Sequence, residues 1–146
     1  MRQQRQHHQR RGAAVVEMAL VLPILMAVVL GVIEFGRSIM VGQVVSNAAR
    51  VGARLAVTEG TTNDDVEGLV LNVLSDTLGI DSSQFDLSII ITPAPGNDTT
   101  GNELIDAQSF DLVQVRVEVP FNEVSYVRPR FMDGHSVVGR VSMRHE

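Results

Sequence analysis

Ala13–Ile33 reads AAVVEMALVLPILMAVVLGVI, twenty-one residues in which Glu17 is the single charge. At 1.5 Å per residue a helix of that length spans roughly 31 Å, the thickness of a bilayer's hydrocarbon core. Soluble core helices seldom stay apolar that long. The apolar core of a secretory signal is shorter, about 7–15 residues, and ends in a small-residue cleavage site. This run instead flows into more helix-like sequence, so the segment reads as a single membrane span.

The charges on either side set a direction. All 12 basic residues are Arg, and Arg2, Arg5, Arg10 and Arg11 fall in residues 1–12 without an acid, a head of +4. The remaining eight Arg meet all 17 acids, so residues 13–146 carry −9. Just beyond the span Glu34 and Arg37 cancel. The positive-inside rule then puts the N-terminus in the cytoplasm and the acidic body outside. A nucleic-acid arm is the rival reading of an Arg-rich head, but twelve residues running straight into an apolar segment argue against it.

Two residues interrupt the span. Pro23 removes an intrahelical hydrogen bond and is expected to kink the helix, which membrane helices tolerate. A carboxylate at the bilayer centre costs about 2.5–3.5 kcal/mol on insertion scales. Glu17, however, lies only roughly 6 Å along the axis from Ala13. It is either an interfacial acid within reach of the headgroups or a buried group seeking a partner.

Beyond the span, Met40, Val44, Ala48, Val51 and Leu55 recur at helical spacing, so one helix is expected from Ala13 to Thr58. Ala48, Gly52 and Ala56, with Ala49 and Ala53, make a small-residue ridge. It suits close packing, against the chain's own sheet in preference to another subunit. Arg50 and Arg54 flank it as a solvated pair. Gly60 ends the helix; Thr62 or Asn63 caps a second, expected over 63–78, with acids in its first turn matching the helix dipole.

Three alternating stretches follow, Phe85–Thr92, Val113–Val119 and Val137–Arg144, separated by Pro-, Gly- and Asn-rich loops. The order α–α–β–β–β predicts an α+β fold, with one antiparallel three-stranded sheet laid on the long helix beside a second short helix. The division expected is a basic leader 1–12, a transmembrane helix 13–33, its continuation 34–58 and an extracytoplasmic head 59–146.

Little of this points to chemistry. Zero cysteine excludes disulfides, zinc ribbons and thiol nucleophiles. His7, His8, His135 and His145 show no metal-site spacing, and no phosphate loop, dinucleotide fingerprint or nucleophile elbow occurs. Asn97-Asp98-Thr99 fits a glycosylation acceptor but reads as an exposed loop. No cofactor, no nucleic acid and no small-molecule substrate is expected, and no catalytic residues.

The residues Arg10-Arg11-Gly12-Ala13-Ala14-Val15-Val16-Glu17-Met18-Ala19-Leu20, Pro23 and Glu34-Phe35-Gly36-Arg37 resemble the N-terminal signature of TadE-like proteins. The run Ser46-Asn47-Ala48-Ala49-Arg50-Val51-Gly52-Ala53-Arg54 is similar to that family's Asn-Ala-Ala-Arg-x-Gly-Ala-Arg stretch. These are minor pilins or pseudopilins of the tight-adherence (Tad) branch of type IV pilus systems. The resemblance covers residues 10–56 and implies a pilin-like fold, non-catalytic, held in the bacterial inner membrane. It implies cleavage by a prepilin peptidase after Gly12, which leaves Ala13 as the new N-terminus and Glu17 as the fifth mature residue. There the carboxylate would meet a neighbouring subunit's amine during docking. The implied partners are that peptidase, other pilins or pseudopilins and the Tad assembly machinery. The alternative is an uncleaved single-span protein whose periplasmic head is a binding module unrelated to a pilus.

Overall fold

The computed structural model describes residues 4–126 and 128–145, with side chains from Gly12 onward. Residues 1–3 of the basic leader and the Arg11 side chain lie outside what is described. A first helix, α1, runs Gln4–Ala56 and passes through Pro23 as one element. It is followed by α2 (Asn63–Leu78), β1 (Asp86–Thr92), β2 (Leu112–Pro120), a one-turn α3 (Phe121–Val124) and β3 (Ser136–Arg144). Single turns of 3₁₀ helix precede β1 and sit in the β1–β2 loop. The mixed α+β expectation holds: a long apolar N-terminal helix, a short helix and a three-stranded sheet.

Local chemistry explains the boundaries. Thr62 and Asp65 form a reciprocal capping box, the Asp65 amide donating to Thr62 Oγ1 and the Thr62 amide to Asp65 Oδ2 at 3.0 Å. At the other end Gly79 takes φ 73°, and its N–H reaches Ser75 O at 2.9 Å. That left-handed cap costs a residue without a Cβ very little. The sheet is an antiparallel meander, β1–β2–β3, in which Ile89 faces Val115 and Val115 faces Val141. Val113, Val115, Val117 and Val119 of β2 are fully buried, while Gln114, Arg116 and Glu118 between them look outward. Period-two alternation requires this once one sheet face is covered.

What covers it is the second half of α1, with α2 alongside. Val41, Val45, Ala48, Ala49, Ala53 and Ala56 have no exposed surface, nor do Val66, Val70 and Leu74 of α2. Small residues set how closely the layers approach. A Cβ on Gly139 of β3 would stand 2.6 Å from Val45 O, and one on Gly52 of α1 would stand 2.8 Å from Val70 Cγ2. The ridge expected along α1 therefore packs into the protein's own core, and Asn47, Arg50 and Arg54 line its solvent side.

Candidate functional site

From Gly12 to Ile33, α1 touches almost nothing. Val15, Leu20 and Ile24 are each more than 60 % exposed, and the most apolar stretch of this helix has no buried share. Gly12 has open space where a side chain would be, and Ala13, Glu17 and Pro23 are exposed. Among the described residues no hydrogen bond or ion pair reaches Glu17. A helix apolar on every face, with almost nothing packed on it, is built for hydrocarbon.

Leu30 and Gly31 are half-buried where the head first comes near, and polar contacts to the head begin at Glu34. Its side chain is 5 % exposed, and its carboxylate accepts the backbone N–H groups of Arg130 at 2.9 Å, Phe131 at 2.8 Å and Met132 at 3.3 Å. One helical turn on, Arg37 is also buried. Its Nε donates to Val124 O at 2.8 Å, and its guanidinium lies 4.2 Å from the Tyr126 ring centroid. Acid and base face the same way because three residues separate them. Instead of a cancelling flank, they form a two-point latch that binds the α3–β3 connection to the helix where the apolar run ends. Phe35 and Gly36, between them in sequence, point away and are exposed.

The residues quoted from the sequence thus divide three ways. Gly12, Ala13 and Glu17 stand open on the span. Glu34 and Arg37 hold the head to the helix. Ala48, Ala49 and Gly52 are core, with Asn47, Arg50 and Arg54 on the outer face. The structure does not gather these groups into one pocket.

A second polar centre had no signature in the sequence. Asp111, fully buried, accepts from the Ala94 amide at 2.8 Å, Asn97 Nδ2 at 2.6 Å, the Gln108 amide at 3.0 Å and the Thr99 hydroxyl. Burial alone would raise its pKa; the hydrogen bonds, Thr99 first, outweigh it and hold the carboxyl far below the usual range. The Asn97-Asp98-Thr99 acceptor pattern is therefore not a free loop: Thr99 is buried and both Asn97 and Thr99 are tied to Asp111. Asn63, at the head of α2, secures the same loop through Asn102 O and the Leu104 amide, each at 3.0 Å. Among the described residues no group of three His, Asp or Glu side chains gathers as a metal site would require.

One apolar helix, exposed along its first half and built into a small α+β head along its second, defines a single-pass membrane-anchored protein. The family model described as TadE-like protein matches residues 12–54, from Gly12 to Arg54, and so takes in the span, Glu34 and Arg37, and the ridge as far as Ala53. The match takes in 43 of the 146 residues, all of them on α1. No curated protein and no solved structure matches it.

Proposed function

We propose that this chain is a minor pilin- or pseudopilin-like component of a Tad-type pilus, anchored in the inner membrane and structural in role. The observation that carries the reading is the order of groups within the TadE-like match. Gly12 closes an Arg-rich leader, and five residues later Glu17 stands exposed on an otherwise apolar helix with no side-chain partner among the described residues. A carboxylate in lipid is costly alone and compatible with a neighbouring ammonium. Removal of the leader by a prepilin peptidase would create that ammonium at Ala13, so processing and docking become one mechanism. The positive leader keeps the N-terminus cytoplasmic, and the head presents its contacts outside.

Intact mass of the membrane-extracted protein tests the first half: loss of residues 1–12 is expected, and their retention would remove the mechanism. For the second half, a Glu17→Ala protein that is cleaved but fails to enter the assembly is expected. Normal assembly of the cleaved variant would separate Glu17 from docking. The rival, an uncleaved anchor bearing a binding module, draws support from the unbroken helix through Gly12, which a peptidase must unwind locally. The same mass measurement decides between them.

A further inference from the structure

We infer that the α3–β3 connection is a second membrane contact, separate from the span, in which Phe131 enters the outer lipid interface while Arg128 and Arg130 hold phospholipid phosphates. This rests on the span crossing a bilayer and not on a pilus role.

The latch fixes the height of this loop. Glu34 follows the last residue of the apolar run and binds the backbone of residues 130–132. Phe131 extends further toward the lipid: a Cβ on Gly31 would lie 3.7 Å from Phe131 Cε2. Gly31 precedes Glu34 by three residues, roughly 4.5 Å deeper along the helix axis at the backbone, so the ring packs beside the span itself. It is nonetheless 51 % exposed, and Tyr126 is 75 % exposed. An exposed phenylalanine beside a transmembrane glycine faces acyl chains, and a tyrosine at this level matches the aromatic belt of membrane proteins.

The charges sort by height in the same way. Leu30, Glu34, Arg128, Pro129 and Arg130 line one groove. Arg128 and Arg130 are exposed beside it, so the groove has an apolar floor and a basic rim. Glu34 spends its oxygens on three backbone amides, and Asp133 accepts from Asn122. Arg130 also lies within the field of the Glu34 carboxylate, but among the described residues no salt bridge holds either guanidinium, and arginine binds phosphate with two parallel N–H groups. A basic rim over an apolar floor fits a phospholipid, phosphate at the rim and chain below, with preference for anionic headgroups.

The chain contains no tryptophan, so a Phe131→Trp variant carries one indole and reports from this loop alone. The full-length variant is placed in nanodiscs with brominated lipid. A blue-shifted emission quenched well beyond the water-exposed reference is expected, as for aromatic belt residues. Ile105→Trp in the β1–β2 loop supplies the water-exposed reference. Changing the neutral lipid to one containing phosphatidylglycerol should deepen the quenching, and Arg128→Gln with Arg130→Gln should abolish that increment while leaving quenching in neutral lipid. Emission equal to the reference would overturn the proposal. An indole shielded from acrylamide yet untouched by brominated lipid would also overturn it, since protein would then cover the loop. Persistence of the increment without both arginines would overturn the phosphate assignment.

Discussion

Val15 and Val45 are the same side chain on the same helix, one 68 % exposed and the other wholly buried. The difference is not one of hydrophobicity. The first half of α1 has no preferred side because its solvent is the same all round. The second half is divided into a buried face of Val, Ala and Gly and an outer face carrying Gln43, Asn47, Arg50 and Arg54. Lipid selects composition; a protein core selects composition and phase. Glu34 and Arg37 stand at the changeover, the first described positions of the helix that are buried, not half-buried, against the head.

The largest expected effect comes from the packed half. Gly139→Ala sets a methyl against the backbone of Val45, which no rotamer change relieves, and should cost about 3 kcal/mol. Urea unfolding of the head in detergent checks this; an unchanged midpoint would mean that α1 and β3 do not approach so closely. Next is acid. Because Asp111 titrates below its ordinary value of 3.8, its contribution is complete above that pH and drains away as pH falls below it, toward the folded value. Asp111→Asn should lower stability at neutral pH and flatten the acid limb of the head's stability curve. The helicity of the span should not follow that limb. The smallest effect is expected from Val28→Leu in the exposed half, within about 0.5 kcal/mol of wild type for the head. A larger loss would show that the span packs on the head after all.

Much of the architecture could be read from residue order. α2 was legible because capping box, apolar stripe and terminal glycine are all local, and the predicted bounds 63–78 are the observed ones. The strands were legible because burial of one sheet face imposes a two-residue period, and their ends moved by a residue or so. The small-residue ridge was also visible, including its turn toward the chain's own sheet. The latch was not. Glu34 meets residues 130–132 across 96 to 98 positions, and its partners are backbone amides, which every residue but proline possesses. Asp111 was hidden for the same reason: two of its donors are main-chain groups of Ala94 and Gln108. Sequence motifs report side chains, so a site whose donors are peptide groups leaves no trace in them. The pairing of an acid and a base one turn apart directly after the apolar run was the available hint.

The latch and the Gly139 contact together decide how force would travel through the molecule. Glu34 and Arg37 grip the head at the bilayer edge, and β3 seats against Val45 two turns higher. A load applied to the membrane end therefore enters the head at two separated points on one rod, and a twist of the rod about its axis is passed on as well. Between bilayer and head there is no slack tether to stretch first. Lifting the anchor, or turning it, moves the whole subunit as a single part.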